Sequence, residues 1–139
     1  MPDIRKQRAE RGAAYMATLD PGLEGALRKG FAAVSPDFAD MCVEFGYGEV
    51  MSRPGLDPKS RQFLTIGVLA ALGHPTDQLK GHINGALNVG VTPEEIVEGL
   101  MQVAVYAGFP AATNALRIAK RVFAERGVSP LPQSPAGDL

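Results

Sequence analysis

Five prolines punctuate this chain at the one place in a helix that tolerates them. Asp20-Pro21, Ser35-Pro36, Asp57-Pro58, His74-Pro75 and Thr92-Pro93 each set a proline directly after a capping residue or a turn. A missing N–H and a fixed φ are harmless in the first helical turn and disruptive anywhere later. The most explicit start is Thr92-Pro93-Glu94-Glu95, in which the Thr92 hydroxyl accepts from the Glu95 amide while the Glu95 carboxylate reaches back, a capping box. Gly73 and Gly90 stand where the preceding helices need a left-handed residue to end. These signals predict helices over about 3–18, 21–33, 36–48, 58–72, 76–89, 93–107 and 110–126. A loop runs through Ser52-Arg53-Pro54-Gly55, and no strand is needed. The expected fold is all-α: one helical bundle of six to seven helices over residues 1–128, followed by a proline-rich tail, 129–139, expected to be flexible or draped over a neighbour.

Composition narrows the function classes. A length of 139 residues fits one domain. A formal net charge of −1 with interspersed signs provides no basic stripe to neutralise phosphates, so no nucleic-acid partner is expected. The single cysteine, Cys42 in DFADMCVEF, cannot form an internal disulfide and is most simply a small core residue. The opening MPDIRKQRAERG is charged where a signal peptide is apolar, and no apolar run approaches the roughly 18 residues of a membrane span. The expectation is a cytoplasmic protein with no membrane partner.

Apolar patterning speaks to assembly. In EEIVEGLMQVAVYAGF, Ile96, Val97, Leu100, Met101, Val103, Ala104, Val105 and Ala107 leave almost no polar face, the pattern of a helix buried on all sides. A small domain has difficulty surrounding one helix, so either it is central or part of it meets another subunit. A homo-oligomer is expected. The next helix is ordinarily amphipathic, with Ala112, Ala115, Leu116, Ala119, Val122 and Phe123 on one stripe.

Chemistry concentrates around His82. It lies between Leu79 and Ala86 at helical spacing, beside Ile83, so its ring should face inward. An inward histidine is either a hydrogen-bonded core group or a working one. Its titration near neutrality suits proton transfer, and Gly81 and Gly85, one turn apart, would let a neighbour approach the backbone. Arg53 precedes a proline and is offered from an extended loop. Arg61 sits one turn into a helix, where a positive charge gains nothing from the dipole. Each guanidinium either pairs with an acid such as Glu44, Glu49 or Glu95, or grips a carboxylate bidentately. Glu44 and Glu49 could orient His82 or hold an arginine. Tyr106 either presents its phenol to a pocket or lies in the core with one bonded hydroxyl. The catalytic candidate is therefore His82, and the substrate-binding candidates are Arg53, Arg61, Glu49 and Tyr106. No Gly-x-Gly-x-x-Gly, phosphate loop or metal-ligand spacing occurs, so neither cofactor nor metal is expected.

Two stretches, SRPGLDPKSRQFLTI from Ser52 to Ile66 and HINGALNVGVTPEEIVEGLMQVAVYAGFPAATNALR from His82 to Arg117, together resemble the carboxymuconolactone decarboxylase family. The resemblance spans roughly residues 30 to 125. It implies the helical fold shared with thiol peroxidases of the alkylhydroperoxidase D type, a trimer or hexamer, and the family's characteristic histidine at His82. The redox branch carries Cys-x-x-Cys-x-x-x-His, but the matching positions are Pro75 and Gln78. Without attacking and resolving thiols there is no dithiol cycle, and the peroxidase reading falls away. The resemblance further implies cofactor-independent conversion of 4-carboxymuconolactone to 3-oxoadipate enol-lactone in aromatic-acid breakdown, with Arg53 or Arg61 anchoring a substrate carboxylate. The competing expectations are a decarboxylase or isomerase for another lactone or oxo acid, and a non-catalytic oligomeric binding protein.

Overall fold

Every regular element among the described residues, 1–131, of the computed structural model is helical. The order is α1 (Ile4–Leu19), α2 (Leu23–Phe31), α3 (Pro36–Met41), a π-helix (Cys42–Met51), α4 (Pro58–Leu72), α5 (Thr76–Asn88), α6 (Pro93–Ala107) and α7 (Phe109–Arg126). The all-α expectation holds. Most of the proposed tail, from residue 132 on, lies outside the described residues.

The proline signals place α3, α4 and α6 to the residue, and the Thr92–Glu95 capping box is closed in both directions. Two of the five mark turns instead. Asp20 bonds its carboxylate to the Gly22 amide at 2.7 Å, holding Pro21 in a tight turn before α2 begins at Leu23. Pro75 caps α5 rather than opening it. Gly108, at φ 92° and ψ 157°, separates α6 from α7 with only one residue between them, a conformation that side chains resist.

The helix expected over 36–48 is extended to Met51 and changes pitch at Cys42, where it becomes a π-helix. The Ser52 amide accordingly bonds Tyr47 O, five residues back, at 3.0 Å. That shift frees Gly48 O, which instead accepts from Ser52 Oγ at 2.8 Å and Arg11 Nε at 3.1 Å.

Contacts group the chain into two compact units, Met1–Arg61 and from Gln62 onward. In the first, α1 packs closely along the π-helix. A Cβ on Gly12 would run into the Val43 carbonyl, and one on Gly48 into the Arg8 carbonyl. Met16, Leu19, Ala39 and Val43 fill the space beside this seam. Along its rim Arg5 pairs with Glu44, and Arg8 and Arg11 with Glu49.

In the second unit the apolar stripes of α4 to α7 meet in one core: Ile66 and Ala70, Leu79 and Ile83, Ile96 and Leu100, Ile118 and Val122. Within one chain α6 is not buried on all sides. Ile96, Leu100 and Val103 face the core, but Val105 and Tyr106 are 76 % and 86 % exposed, with Met101 half out. The helix is apolar beyond what its own core requires.

Candidate functional site

His82 reaches its place through the periodicity of α5. Leu79, Ile83 and Ala86 form the buried stripe, and His82, three residues after Leu79, lies at its edge, half-buried. Its Nδ1 is 2.8 Å from Oε1 of Gln62 on α4. An amide oxygen accepts and does not donate, so Nδ1 carries the hydrogen and Nε2 keeps the lone pair. Burial lowers the ring's pKa below its ordinary value of 6.5. The folded chain therefore holds His82 as a neutral imidazole near pH 7.

Gln62 was not among the residues singled out by sequence. It is fully buried and falls on the face of α4 that carries Ile66 and Ala70 at helical spacing. Its amide nitrogen, also buried, has no hydrogen-bond partner among the described residues. The available signal was a polar residue at a core position of the stripe 62, 66, 70.

The remaining candidates fall into separate settings. Arg53 is exposed on the loop before α4, with no ion pair among the described residues, and its carbonyl accepts from Arg61 Nη2 at 3.0 Å. These two arginines are thus adjacent. Glu49 is occupied by Arg8 at 2.7 Å and Arg11 at 3.5 Å, and Glu44 by Arg5, so the arginines these acids hold belong to α1. Tyr106 is not a core residue. It lines an open groove of about 520 Å³ between α4 and α6 together with Phe63, Val68, Gly99, Gln102 and Val103. His82 is not part of that lining, and Gln102 and Tyr106 are its only polar side chains. Phe63 lies so close to Gly99 that an added Cβ would come within 2.7 Å of its ring. Gly81, by contrast, has open space where a Cβ would be, so the expected close approach does not occur there. Cys42 is free and half-buried at the start of the π-helix.

A half-buried neutral imidazole, bonded at one nitrogen and without a hydrogen bond at the other among the described residues, can accept a proton and deliver it to a bound molecule. Comparison with known proteins places the chain among relatives. The family model described as the carboxymuconolactone decarboxylase family matches residues 36–121. The chain is 42% identical over 94 residues to a 4-carboxymuconolactone decarboxylase of Acinetobacter baylyi, covering 68% of this chain and 69% of that protein. It is 36% identical over 100 residues to a nitrosuccinic acid decarboxylase of Metarhizium robertsii, covering 71% and 68%. An uncharacterized 15.0 kDa protein of Paracoccus denitrificans is 32% identical over 121 residues, covering 86% of this chain and 90% of its own length.

Proposed function

This chain belongs to the carboxymuconolactone decarboxylase family, and we propose on that premise that it is a cofactor-independent carboxy-lyase converting 4-carboxymuconolactone to 3-oxoadipate enol-lactone. The observation that carries the reading is His82, held at Nδ1 by Gln62 with Nε2 available. In this substrate the carbon–carbon bond to the leaving carboxylate breaks and carbon dioxide departs. The electron pair passes through the conjugated double bond onto the lactone carbonyl, so the substrate is its own electron sink. The resulting dienolate needs one proton at carbon. His82, protonated by solvent at Nε2, supplies it and returns to the neutral form with hydrogen on Nδ1. Apolar surroundings favour loss of the charged carboxylate.

The second substrate carboxylate calls for a fixed cation. Arg53 is exposed and backed by Arg61, and a guanidinium fork matches a carboxylate bidentately. Glu49, paired with two arginines of α1, serves by fixing positive charge rather than by touching an anion. Tyr106 offers a phenol at the mouth of an apolar groove. The exposed apolar side chains of α4 and α6 are assigned to contact with further copies of the chain, making a homo-oligomer such as a trimer or hexamer.

A second reading keeps the site and changes the substrate. The relative named for nitrosuccinic acid favours it, since a nitro group, like a conjugated lactone, accepts the electron pair left by carbon dioxide. Both readings are separated by following loss of substrate absorbance with 4-carboxymuconolactone and with nitrosuccinate at equal concentration. Preference for the lactone supports the first reading; turnover of nitrosuccinate alone would replace it with the second.

A further inference from the structure

The residue that holds His82 is poorly accounted for by packing. Gln62 is 0 % exposed on an α4 face otherwise made of Ile66 and Ala70. Burying an amide there carries a desolvation cost that leucine would not incur. Among the described residues its oxygen bonds His82 Nδ1 and its nitrogen has no hydrogen-bond partner. The ring explains the presence of this amide better than the core does.

We propose that Gln62 is a positioning residue: by accepting from Nδ1 it fixes the tautomer of His82, making Nε2 the atom that takes up and delivers the proton. Its neutrality is the second half of the role. A carboxylate at this position would hold the imidazolium and make it a weaker acid. An amide orients the ring without that charge, so the protonated ring gives up its Nε2 hydrogen readily. The 2.8 Å approach of Gln62 Oε1 to Nδ1 suits the state after delivery, with hydrogen on Nδ1 and a bare Nε2. Burial lowers the ring's basicity.

The kinetic half of this inference rests on the decarboxylase reading, whereas the tautomer half does not. The test begins with ¹⁵N-labelled full-length protein and long-range ¹⁵N–¹H correlation of the two histidine rings, with His74→Gln identifying the signals. Wild type above the titration range should show His82 protonated at Nδ1 and bare at Nε2. A dominant Nε2–H form would overturn the proposal. In Gln62→Leu the ring should redistribute toward Nε2–H, the melting temperature being equal or higher because an amide has left the core. An unchanged tautomer, or a pronounced loss of melting temperature, would make Gln62 merely structural.

With 4-carboxymuconolactone, Gln62→Leu should lower kcat about 10-fold or more at nearly constant KM, a part of the roughly 10²–10⁴ that a positioned proton-transfer group contributes. Gln62→Glu should retain the Nδ1–H tautomer but move the fall of kcat/KM to higher pH. Unchanged kcat in the first variant or an unmoved profile in the second would refute the role. If wild type turns over no lactone, the decarboxylase reading fails while the resonance experiment still decides the fate of Gln62.

Discussion

A histidine that is neutral when folded and ordinary when unfolded links stability to pH with a definite sign. The folded pKa of His82 lies below 6.5 because burial disfavours imidazolium. Between those two values the unfolded chain binds more protons, so stability rises with pH and declines as pH falls below about 6.5. His82→Asn should flatten that part of the curve. An equal decline in both proteins between about pH 7 and pH 5 would show that His82 does not cause it. The arginines lead to a different expectation. Arg53→Lys and Arg61→Lys keep the charge but lose the fork, so KM for a dicarboxylate should rise several-fold in each; unchanged KM in both would dismiss the clamp. His82 was legible as an inward residue because periodicity alone reports which face a side chain takes. Gln62 was not, since its partner is twenty residues away on another helix and no local pattern encodes a bond between helices.

At the level of elements, the chemistry of proline and capping residues decided where most helices begin. Thr92→Ala removes an observed hydroxyl–amide bond of 3.1 Å and should cost about 1 kcal/mol in chemical denaturation. Asp20-Pro21 misled by two residues because the same dipeptide also builds a turn, and the side-chain bond that selects it, from the Gly22 amide to Asp20, depends on geometry. The π-helix left no mark in composition. It exists through its seam with α1, where Gly12 and Gly48 bring two backbones together. Gly12→Ala and Gly48→Ala each force a methyl against a carbonyl oxygen and should destabilise by about 1–3 kcal/mol. A neutral effect on melting in both would mean that the seam opens without cost.

On the scale of the molecule, the second unit combines a closed core with apolar side chains left facing outward. Sequence patterning registered the excess of apolar residues in α6 and left two ways to cover it, a central place in the core or contact with another subunit, because periodicity does not distinguish burial within a chain from burial against another copy. Light scattering at micromolar concentration should report a species larger than one chain, and Val105→Glu, at a 76 % exposed position, should shift it toward monomer with helical content retained. A monomeric wild type would remove the oligomer from the proposal. The central claim, that this molecule is a decarboxylase acting through His82, is tested most directly by incubating purified wild-type protein and His82→Ala with 4-carboxymuconolactone while recording substrate absorbance and released carbon dioxide. The account predicts equimolar loss of lactone and gain of carbon dioxide in wild type, with turnover lowered by about 10²–10⁴-fold in the variant at an unchanged fold; undiminished turnover in His82→Ala, or none in wild type, would contradict it.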